Sequence, residues 1–383
     1  MNKELIHLRI LIFRIFTLFV IVSVSCNSDI DTPVDSIPQT PPRITEMTTS
    51  CFYNATVVIN GKNFSSHIED NIVKFGSIEG TVVKSSRNSL TVYAPDLGDA
   101  TSANVTVTCN SLVSNARVIQ VDVDQNKVAM FHWTSFPVKR GITYKTGQMN
   151  LFGPELRRIY VLDVTLNESN TLGIGFSAVN QTTVEMCKSY NATAGINAGY
   201  FPMSGSSDKD PYIRIDGKTV QEGHLGVNQI FTNSALLIHN NVAIVRKFTE
   251  SGTILNLVAA SIPVPVAENV IVCGPILVKD GVLEELSTTS SHNTSSTART
   301  GLGVTADGKR VFMVVVDTGG DVKGVTTPQL AKILQALGTV NAMNFDGGGS
   351  STMFVKDQGI NGLVNLPYGS STQRKVRSVI YVR

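Results

Sequence analysis

An apolar run, a helical segment and a second apolar run near the C-terminus constrain the fold more than any other part of the chain. Val311–Val316 is continuously apolar and rich in valine, which is typical of strands buried on both faces. In the segment that follows, Thr326 or Thr327 can cap a helix, and Gly338 suits its end. Val340–Phe345 then predicts a second strand. This order predicts a parallel pair of strands joined by a right-handed crossover.

Two carboxylates stand at the predicted ends of these strands. Asp317 follows the first run and Asp346 follows the second. Because parallel strands end at the same edge of a sheet, we expect the two aspartates to emerge side by side if the strands are neighbours. Ligands of open α/β sheets bind beyond such ends. Asn344 and the glycine-rich loop after Asp346 therefore belong to the same candidate site.

The glycine-rich loop has the composition of an anion-binding segment. Gly347, Gly348 and Gly349 permit positive φ angles and bring backbone N–H groups close to a ligand. Ser350 and Ser351 add hydroxyl groups. No lysine follows the glycines, which argues against a nucleotide P-loop. The alternative is a flexible turn after a strand.

An arginine upstream is a candidate phosphate contact. Arg299 precedes Gly301–Val304, a strand-like run that should pair with Val311–Val316 through the turn Asp307-Gly308. Arginine binds phosphate through two N–H groups at once. The alternative is an ordinary surface arginine.

A second upstream segment carries candidate sugar contacts. Asn197-Ala-Gly-Tyr-Phe201 follows the strand-like run Thr193–Ile196. Asn197 is suited to hydrogen-bond a sugar hydroxyl, and Tyr200 or Phe201 to stack on the sugar ring. We therefore predict that Asn197, Gly199 and Tyr200 bind substrate. The alternative is a pair of core aromatic residues beside a tight turn.

The region 43–123 has the pattern of a small all-β domain. Short strands of alternating polarity are divided by turns, which predicts a β-sandwich of immunoglobulin size. Asn60-Gly61 is a turn signal within it. The predicted strands are Thr56–Ile59, Asn71–Phe75, Gly80–Val83, Ser89–Tyr93, Ala103–Thr108 and Ala116–Val121.

The first 26 residues predict export. Basic residues precede the apolar run Ile15–Ser25, which is too short to span a membrane and fits a signal peptide over residues 1–25. Ser25-Cys26 is similar to a bacterial lipoprotein cleavage site, so we expect Cys26 to carry a lipid. The alternative is an ordinary signal peptide. The polar residues that follow, as far as residue 42, predict a tether.

The remaining cysteines fit an exported protein. Cys51 and Cys109 lie in one strand-rich region and are candidates for a disulfide. Cys187 and Cys273 have no metal-ligand spacing, so we expect buried thiols.

Composition excludes several classes of function. The net charge is +2, without a strong basic excess, and this argues against nucleic-acid binding. The sequence contains neither a CxxC nor an HExxH motif, and its six histidines are scattered, so a zinc site is not expected. We expect no cofactor, and leave open a structural cation near the acidic loop. We also expect a monomer.

Two parts of this sequence resemble known protein families. The strings of region 43–123 resemble the TIG family of Ig-like domains. Residues 190–383 resemble the phosphodiester glycosidase family, with two departures: Ser296-Thr-Ala298 replaces Arg-His-Pro, and Phe345 replaces leucine. The motifs that carry this resemblance are Asn197-Ala-Gly-Tyr-Phe201, Arg299-Thr-Gly-Leu-Gly-Val304, Val314-Val-Val-Asp317, Asn344-Phe-Asp-Gly-Gly-Gly-Ser-Ser-Thr352, and Val364-Asn-Leu-Pro367 with Arg374-Lys-Val376.

The resemblance implies a fold and a reaction. We expect an α+β or α/β domain with a mixed sheet over residues 124–383, preceded by the small β-sandwich. It implies a hydrolase that cleaves the glycosidic bond of a sugar-1-phosphodiester of the N-acetylglucosamine-phosphate type. Arg299 and the amides of Gly347–Gly349 would stabilise the departing phosphate, and Asp317 or Asp346 would act as base or nucleophile. The missing Arg-His-Pro would take a cation and an imidazole from the site.

Two alternatives stay open. The first is a non-catalytic glycan-binding or adhesion lipoprotein on the cell surface. The second is a phosphodiesterase that cuts the P–O bond, which usually needs more clustered metal ligands than this sequence has.

Overall fold

The structure is a computed structural model, and it describes residues 40–202, 211–222, 232–247, 267–366, 368 and 372–383. The predicted signal peptide, Cys26 and nearly all of the predicted tether lie outside the described residues. Among the helices of the described ranges, none has the length and apolar character needed to cross a bilayer.

The N-terminal domain is all-β, as the sequence predicts. Its strands join in the order β1-β3-β6-β5-β4-β7-β9-β2, and β8 pairs with β7. Alternating residues such as Val57 and Ile59 are fully buried in its core. The strands are β1 Arg43–Met47, β2 Ser50–Cys51, β3 Thr56–Lys62, β4 Asn71–Phe75, β5 Ile78–Ser86, β6 Ser89–Tyr93, β7 Ser102–Cys109, β8 Leu112–Val113 and β9 Arg117–Val121, with a 3₁₀ turn at Ile68–Asp70.

The predicted turn at Asn60-Gly61 is wrong. Both residues lie inside β3, and neither has a positive φ; the first positive φ after β3 is at Asn63, where φ is 61°. A Cβ atom at Gly61 would lie 2.1 Å from the carbonyl oxygen of Arg43. This glycine therefore permits the close approach of β1 and does not form a hairpin turn.

The predicted disulfide between Cys51 and Cys109 is also wrong, because both cysteines are free and buried. Cys51 pairs with Val121, which lies near the first residue of β7, Ser102. Cys109 is the last residue of β7, seven steps or about 23 Å further along the strand. A disulfide needs Cα atoms about 4–7 Å apart. Cys187 and Cys273 are buried free thiols, as expected.

The C-terminal domain is built mainly from strands. Its described strands form sheets with the orders β10-β11-β12-β23-β22-β24-β20-β21, β13-β26-β14-β25 and β16-β15-β19-β17-β18. The bounds are β10 Thr134–Lys139, β11 Ile142–Asn150, β12 Leu156–Thr165, β13 Leu172–Gln181, β14 Ala194–Asn197, β15 Ile213–Ile215, β16 Lys218–Gln221, β17 Ser234–His239, β18 Val242–Lys247, β19 Asn269–Cys273, β20 Ile276–Lys279, β21 Val282–Leu283, β22 Arg299–Val304, β23 Arg310–Val316, β24 Asn341–Asn344, β25 Met353–Val355 and β26 Val376–Val382.

Helices are short and few among the described residues of this domain. They are α1 Val123–Ala129, α2 Thr183–Ser189, α3 Ser291–Thr294 and α4 Thr327–Ala336. The strand pairings described within these sheets are antiparallel. The predicted mixed α/β architecture is therefore corrected to a mostly antiparallel β domain with a few covering helices.

The predicted crossover unit is present, with one strand inserted. Thr326 caps α4 in a capping box with Gln329, and Gly338 ends it with φ of 92°. However, β22 lies between β23 and β24, and it is antiparallel to both. Gly301 pairs with Val314 on one side and with Asn344 on the other. β23 and β24 thus run in the same direction and end at the same edge, but they are not neighbours.

Helix α1 joins the two domains through side-chain hydrogen bonds. Asn126 accepts from the backbone N–H of Tyr53 at 2.8 Å and donates to the carbonyl of Gly98 at 3.1 Å. On the opposite side, Gln125 donates to the Gln335 side chain of α4 at 2.6 Å. The junction therefore connects the N-terminal domain to the helix behind the candidate site.

Candidate active site

Asp346 follows β24 at the common edge of β23 and β24. Its Oδ1 accepts the N–H of Gly347 at 3.0 Å, and the Ser350 hydroxyl also hydrogen-bonds the carboxylate. Burial raises the pKa of Asp346 to about 6, although Ser350 and the nearby Arg374 and Arg299 charges oppose the shift. The residue keeps partial exposure. A reachable carboxylate that is mainly ionised at neutral pH is suited to act as a base.

Asp317 occupies a different environment at the same edge. It is only 1% exposed. Its Oδ1 accepts from Asn365 at 2.8 Å, and its Oδ2 accepts the N–H of Leu366 at 3.0 Å. Asn365 also donates to the carbonyl of Ser351 at 2.9 Å. Burial raises the pKa of Asp317, and the contacts indicate that this carboxylate positions the segment beside the glycine-rich loop.

The glycine-rich loop uses most of its amides internally. Gly348 donates its N–H to the carbonyl of Ala298 at 2.8 Å, and Gly347 donates to Asp346. The N–H groups of Ser350 and Ser351 close a 3₁₀ turn. Within the described part of the chain, the Gly349 N–H makes no hydrogen bond. Two amides of the predicted cradle, those of Gly347 and Gly348, are therefore used within the protein, which leaves the Gly349 amide as the one without a partner among the described residues.

Arg374 lies against Gly349. A Cβ atom at Gly349 would lie 2.8 Å from its Nη2, so the guanidinium occupies the space where a side chain at this position would begin. Its Nη1 lies 3.5 Å from the Ser350 hydroxyl oxygen, and the residue is exposed. We did not predict Arg374 as a site residue from the sequence. Its signal was the motif Arg374-Lys-Val376, which contributes to the family resemblance but carried no assigned role.

Arg299 is buried behind the loop. It is 2% exposed, and its Nη2 donates to the carbonyls of His292 at 2.6 Å and Ser295 at 2.9 Å. Its Nε donates to the carbonyl of Val325 at 3.3 Å. Burial lowers the pKa of the guanidinium, and Asp346 partly opposes this shift. Nε and Nη2 therefore bind backbone oxygens, and the bidentate phosphate contact of Arg299 stays a prediction.

Asn197 is a framework residue in this structure. It is fully buried. Its Nδ2 donates to the carbonyl of Asp346 at 2.7 Å, and its Oδ1 accepts from the Thr300 hydroxyl at 2.8 Å and the Thr352 N–H at 3.0 Å. This corrects the predicted contact with a sugar hydroxyl. Gly199 also packs internally, since a Cβ atom there would lie 2.9 Å from Cγ of Pro211.

Tyr200 forms a polar network with a histidine that we did not single out. Its hydroxyl donates to the carbonyl of Gly274 at 2.6 Å and accepts from Nδ2 of Asn344 at 3.1 Å. Nε2 of His292 lies 3.1 Å from the same oxygen. Because the phenol proton goes to Gly274, the imidazole must be the donor. Burial, followed by the Arg299 charge, lowers the pKa of His292 to about 4, which keeps the ring neutral.

Unsatisfied polar atoms surround the loop. Oδ1 of Asn344, Oγ of Ser351 and Oγ1 of Thr352 are buried without a hydrogen-bond partner among the described residues. Buried polar atoms are nearly always paired with protein, water or ligand. The described residues contain no group of three His, Cys, Asp or Glu side chains that would hold a metal ion.

Comparison with protein families decides the classification. Residues 190–383 match the phosphodiester glycosidase family, and residues 42–121 match the IPT/TIG domain. The chain belongs to the phosphodiester glycosidase family. In this phosphodiester glycosidase family member, the matched segment includes Asp346, Arg374 and His292. The resemblance inferred from the sequence motifs is thereby confirmed.

Solved structures similar to this family member are distant in sequence. One is the catalytic domain of zebrafish N-acetylglucosamine-1-phosphodiester alpha-N-acetylglucosaminidase, auto-inhibited by its pro-peptide, with 20% identity and a TM-score of 0.48 over 63% of this chain and 82% of that chain. Another is a hypothetical protein from Synechocystis, with 14% identity and a TM-score of 0.45 over 90% of this chain and 81% of that chain. A comparison with curated proteins found no match.

Ser296-Thr-Ala298 replaces the Arg-His-Pro pattern, but a guanidinium and an imidazole are still present near the loop. Arg374 places a guanidinium beside Ser350, and His292 places an imidazole beside Tyr200. Both come from positions outside Ser296-Thr-Ala298. The effect of the Arg-His-Pro departure on the substrate range stays a prediction.

Proposed function

We propose that this protein hydrolyses the glycosidic bond of a sugar-1-phosphodiester of the N-acetylglucosamine-phosphate type. The products would be free sugar and a phosphomonoester. The main support is the grouping of a partly exposed carboxylate, Asp346, with the exposed guanidinium of Arg374 and with the N–H of Gly349, which has no hydrogen-bond partner among the described residues. Family membership supports the same reaction class.

The phosphate side of the substrate contacts Arg374 and Gly349 in this proposal. A phosphomonoester is a good leaving group, so protonation by a strong general acid is less necessary than in most glycosidases. The guanidinium and the amide stabilise the charge that develops on the departing oxygen. Arg299 contributes a buried positive charge behind the loop.

The sugar side of the substrate faces Asp346. Its carboxylate takes a proton from water while the water oxygen bonds to the anomeric carbon. The bond between that carbon and the phosphate oxygen breaks, and its electron pair leaves with the phosphate. Asp317 is enclosed by Asn365 and Leu366. We therefore assign the base to Asp346 and expect inversion at the anomeric carbon.

Product analysis tests the reaction. Purified protein is incubated with an α-N-acetylglucosaminyl phosphodiester, and products are separated by mass and by the configuration of the released sugar. Free sugar with inverted configuration supports the proposal. Sugar-1-phosphate would instead indicate P–O cleavage. Binding without turnover would favour the non-catalytic glycan-binding alternative.

Removal of the exposed guanidinium should weaken substrate capture. For Arg374→Ala we expect kcat/KM to fall about 10- to 100-fold, because a hydrogen bond to a charged group contributes about 1.5–3 kcal/mol. Arg374→Lys should recover part of this loss. Lys375→Ala removes the same charge from the next exposed position and is the control. Equal losses in Arg374→Ala and Lys375→Ala would contradict a direct phosphate contact.

We also propose that the protein is exported and anchored in the bacterial cell envelope by a lipid on Cys26. The support is the sequence around Cys26, preceded by the apolar run Ile15–Ser25. For Cys26→Ala we expect the protein to leave the membrane fraction, measured by fractionation and by loss of lipid labelling. Cys51→Ala is the control, because this buried cysteine belongs to the folded domain. Unchanged membrane association of Cys26→Ala would refute the anchor.

A further inference from the structure

A cavity separate from the candidate active site lies between the C-terminal end of α2 and the turn after β25. Its volume is ≈ 460 Å³, which is within the range of cavities that bind small ligands. None of the residues that form the candidate active site lines it. The polar side chains around it are Lys188, Asn191, Lys356, Asp357, Gln358 and Asn361.

The cavity and the candidate active site are at opposite ends of one short strand pair. In the pairing of β14 with β25, Ile196 opposes Met353, next to the glycine-rich loop, and Ala194 opposes Val355, next to the cavity. The three residue steps along β14 from Asn197 to Ala194 span about 10 Å. A chain molecule longer than one sugar unit is therefore needed to reach both places.

The lining favours an anionic saccharide. Lys188 and Lys356 are exposed, and neither forms an ion pair with another described residue. Asp357 is the one carboxylate among the lining residues, so positive charge exceeds negative charge. Such an excess attracts anions. The side-chain amides of Asn191 and Gln358 can donate to and accept from sugar hydroxyls.

We propose that this cavity is a second subsite for an anionic glycan chain, which makes a polymeric phosphoglycan the substrate class. The subsite binds a neighbouring unit of the chain while the reacting phosphodiester lies at Asp346. This inference rests on the proposed function for its substrate, but the binding it describes does not depend on turnover.

Two probes and one double variant test the subsite. The probes are a soluble polymer of α-linked N-acetylglucosamine 1-phosphate and the methyl phosphodiester of a single N-acetylglucosamine 1-phosphate unit. For Lys188→Ala/Lys356→Ala we expect affinity for the polymer to fall about tenfold. The kcat and KM for the small substrate should not change. Lys74→Ala/Lys84→Ala, on the N-terminal domain, removes the same charge from exposed positions and is the control.

The outcomes separate this inference from the proposed reaction. Polymer affinity that is unchanged in the double variant, or lost equally in the control, would overturn the subsite even if both probes are hydrolysed. Lysine-dependent polymer binding by a wild-type protein that hydrolyses neither probe would support the subsite and contradict the proposed reaction. Equal binding of uncharged dextran would contradict the anionic character of the ligand.

Discussion

Asp346→Asn is expected to lower kcat/KM by about 10²- to 10⁴-fold, the range for loss of a positioned general base. The amide preserves the shape of the side chain but cannot accept the proton of the attacking water. We do not expect it to destabilise the fold at neutral pH. Burial raises the pKa of the carboxyl to about 6, so ionisation costs folding free energy at higher pH.

The matched control is Asp317→Asn. The Asp317 carboxylate contacts Asn365, Leu366 and Tyr160, so we expect a loss in kcat/KM of less than about tenfold, in line with an indirect effect on the loop. Both variants are measured by initial rates and by chemical unfolding. If Asp317→Asn lost as much activity as Asp346→Asn, the assignment of the base to Asp346 alone would be contradicted.

The same carboxyl predicts the pH dependence of the reaction. With its pKa raised to about 6, Asp346 is protonated below that pH and cannot act as a base. We therefore expect kcat/KM of the wild type to decrease as pH falls through about 6, and the residual activity of Asp346→Asn to lack this step. The folding stability depends on pH in the opposite sense. A raised carboxyl pKa favours folding at low pH, and that contribution is lost as pH rises through about 6.

Asn197→Ala is expected to lower the free energy of unfolding by about 3–4 kcal/mol, the largest effect on stability that we predict. The substitution removes the hydrogen bonds to the carbonyl of Asp346, the Thr300 hydroxyl and the Thr352 N–H. It leaves these groups buried without partners, and each such group costs about 1–3 kcal/mol. Denaturant unfolding of the whole chain measures the change.

The appropriate control is Asn104→Ala, because Asn104 is an exposed asparagine of β7. A substitution of this kind should change stability by less than about 0.5 kcal/mol. The measurement also separates the two roles considered for Asn197. An increase in KM without any loss of stability would mean that Asn197 contacts substrate and would contradict the framework role.

Local pattern predicted the separate elements of the C-terminal region well. The apolar runs of β23 and β24 and the cap at Thr326 were each located from neighbouring residues. Their arrangement was less predictable, because periodicity does not show which strand lies beside which. The hairpin of β22 with β23 was predicted from its turn, but β24 then added to the free side of β22. That choice depends on packing between residues distant in sequence.

The candidate site shows the same limit. The sequence singled out Asp346 and its glycines, because a cluster of unusual residues is visible in one segment. It could not show that the carbonyl of Ala298 would bind the Gly348 N–H. It assigned no role to Arg374, although this residue lies in one of the family motifs, and it missed His292, since a single histidine has no local pattern. Only the folded chain brings them to the loop.

The hydrogen bonds of α1 have a consequence for cooperativity. Asn126 binds the N-terminal domain while Gln125 binds α4, and Phe52 of the N-terminal domain packs against the core beneath α4. Melting of either domain would therefore expose apolar surface and unpaired polar groups on the other. We therefore expect the small β domain and the domain of the candidate site to unfold together, and calorimetry of the intact chain to record a single transition.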